Sequence, residues 1–125
     1  MKRFDINACF GHWPYWDLHH KTADELVASM DRNHIDQAAV MSLRGLLLDW
    51  RDGNEETLAA ASRYPRRLVP MATLSPFLGG SGEELKRLAG AGVRGVRLYP
   101  AFHNYAPAAP LSTRSAALPR SARCR

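Results

Sequence analysis

The side chains able to hold an anion, a metal or a proton fall in two short stretches of this chain and in the loops after them. In Phe4-Asp5-Ile6-Asn7-Ala8-Cys9-Phe10, Asp5, Asn7 and Cys9 alternate with apolar residues; in Val93-Arg94-Gly95-Val96-Arg97-Leu98-Tyr99, a matching alternation sets apart Gly95, Arg97 and Tyr99. Side chains two apart in an extended strand share a face. Asp5, Asn7, Cys9, Arg97 and Tyr99 are therefore expected on one side of a sheet. Phe4, Ile6, Ala8 and Phe10, with Val96 and Leu98, are expected to face covering helices. Arg97 suits a carboxylate or phosphate, because its planar fork engages two oxygens at once; an equally open reading pairs it with Asp5 inside the sheet. His12 follows the first stretch and His103 the last. Imidazole changes charge near neutrality, so the two form a candidate general acid and base, against the alternative of two solvated loop histidines. Trp13, Tyr15, Trp16, Phe102 and Tyr105 flank them, and either wall an apolar substrate pocket or pack the loops onto each other. His19, His20 and His34 read as surface residues.

Other catalytic templates are missing. There is no GxSxG elbow, no HExxH and no GxGxxG after the first strand. The Gly79-Gly80-Ser81-Gly82 turn precedes Glu83 and Glu84 rather than a lysine, so it would repel a phosphate.

The elements that must position these residues alternate between strand and helix. Phe4–Phe10 reads as a strand by period two, and Ala38–Leu43 as a short buried one. Leu68–Leu74 is a third strand, with Pro70 an obstacle to a central position, and Val93–Tyr99 is the fourth. Between them, Thr22 with Glu25, Asp52 with Glu55 and Ser81 with Glu84 each have capping-box spacing before a helical apolar period. The second helix stops before Pro65, and the third at Gly90 or Gly92. Strand starts near residues 4, 38, 68 and 93 recur about every 30 residues, the spacing of a βαβ unit. Such alternation implies a parallel sheet in the order 1-2-3-4 with helices on its outer face. It fits either half of an eight-fold barrel, which needs about 250 residues, or a small open doubly wound sheet.

The chain has 125 residues, 46% hydrophobic and 23% charged, a globular composition for one domain at most. No run reaches the length of a membrane span and no apolar signal core follows Met1, so a cytoplasmic location is expected and no membrane partner. Cys9 and Cys124 are too few and too far apart for a disulfide framework. The net charge is +5, but Arg114, Arg120, Arg123 and Arg125 account for four of those charges. Residues 1–106 hold the other 13 of 17 basic residues against all 12 acidic ones, which argues against a nucleic-acid partner. Residues 107–125 lack apolar period, caps and acids. They are expected to form a disordered basic tail, and their Ala, Pro and Arg content also suits a GC-rich gene read out of frame.

Arg63-Tyr64-Pro65-Arg66-Arg67-Leu68-Val69-Pro70-Met71-Ala72-Thr73-Leu74-Ser75-Pro76, the run Glu84–Leu88, and above all Gly92-Val93-Arg94-Gly95-Val96-Arg97-Leu98-Tyr99-Pro100 resemble the amidohydrolase-2 group of the metal-dependent hydrolase superfamily. With Phe4-Asp5-Ile6-Asn7 the resemblance spans about residues 4–105. It implies a partial (β/α)8 TIM-type barrel of about four β/α units over residues 1–106. The implied reaction is hydrolysis or decarboxylation of a small carboxylated or cyclic substrate at the C-terminal face. Members usually open with Asp-x-His-x-His, whose histidines bind a divalent metal, zinc or manganese, that activates water. Here Asn7 and Cys9 stand at those two positions and later-strand ligands are lacking, so no metal ligand and no cofactor is assigned to this chain. The resemblance thus points to a truncated, inactive hydrolase, with His12 and His103 as catalytic candidates. Asn7, Cys9, Trp13, Arg97, Tyr99 and Tyr105 are its candidates for binding a small-molecule substrate. The competing expectation is a non-catalytic barrel fragment that binds a partner or self-associates through open sheet edges.

Overall fold

In the computed structural model, residues 1–77 and 79–107 are described; the expected tail falls almost wholly outside them. The elements run β1 (Phe4–Phe10), α1 (Ala23–Arg32), β2 (Gln37–Ser42), α2 (Leu43–Leu47), α3 (Trp50–Arg63), β3 (Leu68–Thr73), α4 (Ser81–Gly90) and β4 (Gly95–Arg97). Every neighbouring pair of strands is parallel, and their order is β1-β2-β3-β4. One face is covered by helices. Leu26, Val27 and Met30 of α1 and Ala60 and Ala61 of α3 pack with Ala8, Phe10, Ala38, Val40 and Leu68. Leu88 of α4 and Trp50 of α3 bury Ala72 and Leu74. Sequential parallel strands with helices on one side are consistent with a partial TIM-type barrel, which the strand–helix period leaves open beside a small doubly wound sheet.

The helix starts follow local chemistry, though not always at the expected residue. Thr22 Oγ1 accepts from the Glu25 N–H at 3.2 Å, and Glu25 Oε2 accepts from the Thr22 N–H at 3.1 Å, a complete capping box. For α3 the cap is Asp49 rather than Asp52: its Oδ1 accepts from the N–H groups of Arg51 and Asp52 at 2.8 and 3.1 Å. Helix α4 opens from Gly80, whose φ of 83° is left-handed and which offers no side-chain cap. The expected Ser81–Glu84 box gives way, and Glu84 instead holds Arg87. Helix α2 was not foreseen. The apolar run read as strand through Leu43 turns at Ser42, whose Oγ accepts from the Arg44 N–H and donates to Glu56 Oε2 at 2.6 Å.

Pro70 is accommodated because β3 changes partners there. Leu68–Pro70 face β2 in register and Met71–Thr73 face β4, so the missing N–H falls at the handover, and the Pro70 carbonyl accepts from the Arg94 N–H at 3.0 Å. Asn54 of α3 braces the far end of β3: its Nδ2 donates to Thr73 O at 3.0 Å, and its Oδ1 accepts from Thr73 N at 2.8 Å.

The expected faces of β1 need correction. The register with β2 shifts between Asp5 and Ala8, so a bulge interrupts the alternation. Ala8 and Phe10 enter the helix-side core, but Phe4 and Ile6, expected beside them, are 49% and 77% exposed. Asp5 shares its register with the core residue Ala38 instead of standing in line with Cys9. On β4, Val96 lies opposite Ala72 on the helix side as expected. Val96 and Leu98 nevertheless stay 37% and 53% exposed, because no described helix covers them.

Candidate functional site

The face away from the helices carries Cys9 from β1, Met41 from β2, Arg97 from β4 and Tyr99 just after it. Cys9 and Met41 are register partners, and Cys9 and Tyr99 pack around buried Met41. Arg97 is the centre of this face. Its Nη1 donates to Ala8 O at 2.9 Å, and its Nη2 to Ile6 O at 2.7 Å and Ala39 O at 2.8 Å. In a flat sheet three strand spacings of about 4.8 Å would separate β1 from β4, farther than an arginine reaches. The sheet is therefore curled, with Arg97 tied across its concave side. The β1 bulge lies between Asp5 and Ala8, the segment whose carbonyls the guanidinium takes up. Arg97 is thus neither paired with Asp5 nor idle. The Asp5 carboxylate instead accepts from the Asn7 N–H at 2.8 Å.

The titratable groups here keep their protons. Burial pushes the Cys9 thiol up; the Arg97 charge opposes this and Asp5 adds to it. Burial likewise raises the Tyr99 phenol, with Arg97 partly offsetting. The Tyr99 hydroxyl donates to Met41 Sδ, and Thr73 Oγ1 lies 3.6 Å from the same sulfur. Protonated Cys9 and the Arg97 cation make this face a donor surface, suited to acceptors and anions, while the one Tyr99 hydrogen is taken by Met41.

The other expected site residues separate into groups. Asn7 is exposed on the bulged part of β1. Trp13 sits in a ring cluster, 5.5 Å from Tyr15, 5.5 Å from Trp16 and 5.7 Å from Phe102, and Phe102 is 6.4 Å from Tyr99. The loop after β1 therefore meets the loop after β4, and these aromatics pack on each other. Tyr105 stacks at 5.3 Å on Phe77, in the loop after β3. Among the described residues no hydrogen bond or ring contact joins His12 to His103, although their neighbours Trp13 and Phe102 touch. His12 is exposed and lines a cavity beside α2; His103 is half-buried, with its Nδ1 unpartnered alongside Trp13 Nε1 and the Tyr105 hydroxyl. Met41 was missed, because a methionine in an apolar run reads as core. Only curvature turns its sulfur toward Tyr99.

The divalent metal implied by the resemblance does not fit these residues. Of the two first-strand positions, Asn7 is exposed and Cys9 holds its proton beside a fixed guanidinium, which would repel a second cation. No group of three or more His, Cys, Asp or Glu converges among the described residues.

Four sequential parallel strands with helices on one side, curled around a polar concave face, are consistent with part of a (β/α) barrel. A matching fold is found in a crystal structure of a probable 2-pyrone-4,6-dicarboxylic acid hydrolase from Acinetobacter baumannii with citric acid bound, at a TM-score of 0.55 and 23% identity. The match covers 78% of this chain and 38% of that one, so this chain spans well under half of the hydrolase. No family model and no curated protein matches the chain. No helix among the described residues is long and apolar enough to cross a membrane.

Proposed function

We propose that this chain supplies the first four β/α units of an amidohydrolase-type hydrolase barrel, and that its concave face binds a small carboxylated substrate. The observation that carries this reading is the Arg97 guanidinium, which extends from the last residue of β4 onto three carbonyls within β1 and β2, with Tyr99 beside it. Hydrolysis needs donors for a developing oxyanion and a base for water. The Arg97 N–H groups not taken by carbonyls offer donors, whereas the Tyr99 proton is already given to Met41 Sδ. A base is the missing part: Cys9 and Tyr99 stay protonated, and the Asp5 carboxylate is turned onto Asn7. The face on its own thus binds and orients, and turnover calls for groups from further units of a complete barrel. Citrate and 2-pyrone-4,6-dicarboxylate, the molecules named with the matching structure, are suitable probes. In NMR titrations of the whole chain both are expected to shift Cys9, Arg97 and Tyr99, without hydrolysis of the pyrone. Titrations that leave those three residues unmoved refute the assignment.

A further inference from the structure

A cavity of ≈ 590 Å³ opens between the β1–α1 loop and α2, within the size range of small-molecule sites. It adjoins the concave face, since Leu43 and Leu47 of its wall also pack with Met41, Cys9 and Tyr99, but it opens on the other side of β2. Ser42, in its wall, is the register partner of the helix-side core residue Phe10 and donates to Glu56 of α3, whereas Cys9 and Met41, one position earlier, face the other way. The lining divides by chemistry. Pro14, Tyr15, Leu43, Leu47 and Leu48 give an apolar surface, and the polar lining holds Lys21, Arg44 and His12 with one acid, Glu56. Tyr15 is 71% and Leu48 80% exposed, so large apolar groups of this wall are open to solvent.

The two cations differ in availability. Arg44 is held by Asp52 at 2.9 Å and Glu56 at 3.7 Å. Lys21 pairs at 2.7 Å with Asp17, whose side chain is 83% exposed; an ion pair so open to water contributes little and is readily exchanged for another carboxylate. Glu56, held by Ser42 and Arg44, keeps a negative charge in the wall, which disfavours a second anionic group in the cavity.

We propose that this cavity binds a monocarboxylate carried on an apolar ring, the ring against Leu43, Leu47 and Tyr15 and the carboxylate on Lys21, and that Glu56 excludes dicarboxylates. The site does not depend on the reading of the concave face. The test uses the whole isotope-labelled chain titrated with benzoate and, separately, terephthalate. Benzoate is expected to give saturable shifts at Gly11, Leu43 and Leu47, with terephthalate binding more weakly. Lys21→Met should weaken benzoate by about fivefold, the upper range for an exposed ion pair, and Glu56→Gln should bring terephthalate level with benzoate. The proposal is overturned if benzoate shifts do not saturate, if they centre on Cys9 and Tyr99, or if either variant titrates like the parent.

Discussion

Gly53→Ala is expected to loosen the outer layer of this fold. A Cβ built on Gly53 of α3 would lie 2.1 Å from Gly45 N and 2.2 Å from Gly45 Cα of α2, where unstrained contacts need about 3.5–4.0 Å. Both obstructing atoms are backbone, so no side chain can swing aside and the two helices must part. Overpacking costs about 1–3 kcal/mol where neighbours can adjust, and a backbone clash belongs at the top of that range. Alanine returns about 1 kcal/mol of helix propensity, for a net loss of about 2 kcal/mol. At about 4–8 °C per kcal/mol for a domain near 100 residues, the melting midpoint should fall by about 8–16 °C. The same movement would strain Thr57, whose Oγ1 donates to Gly53 O at 2.7 Å and accepts from Ser42 N at 2.9 Å. Thermal unfolding by circular dichroism reads the effect, with Gly82→Ala as control, since a Cβ there meets nothing within 4 Å. A Gly53→Ala midpoint within about 2 °C of the parent would show that α2 and α3 do not touch through these glycines.

Asn54→Leu keeps the number and branching of side-chain heavy atoms at a residue only 1% exposed but strands the N–H and C=O of Thr73. A loss of about 3 kcal/mol is expected in urea unfolding, and one under about 1 kcal/mol would contradict the bracing role. Cys9 should alkylate with iodoacetamide more slowly at neutral pH than a free thiol. Its pH midpoint should rise further in Arg97→Met, because Arg97 lowers the thiol against burial; a downward shift would refute that geometry. The folded thiol ionises above its unfolded value of about 8.5. Its contribution to stability is therefore complete below that pH and is lost as pH rises through the folded pKa. After dialysis against zinc, metal analysis is expected to find well under one equivalent per chain, and a tightly held ion with Cys9 among its ligands would refute the donor-surface reading.

Local chemistry made much of the architecture legible. Four strands alternating with helices, the Thr22–Glu25 box and the stop before Pro65 each depend on residues close in sequence, so parallel order and one-sided helices followed from pattern. Arg97, Tyr99 and Cys9 were also found on a common face, because strand alternation fixes a side chain's side wherever the ladder is regular. Alternation failed where the ladder was not. The bulge in β1 exposed Phe4 and Ile6 and moved Asp5 out of line, and nothing local marks it, since its carbonyls are taken up by an arginine about 90 residues away. Helix α2 and the Gly45–Gly53 contact were hidden for a related reason: a glycine's closeness to another helix is a property of the pair. Whether His12 and His103 share a site was likewise a question about where two loops end, and the aromatic packing of Trp13 on Phe102 joined those loops without joining the imidazoles. Sequence set the periods and the local caps; curvature, which alone decides what stands opposite what, came from contacts between distant strands.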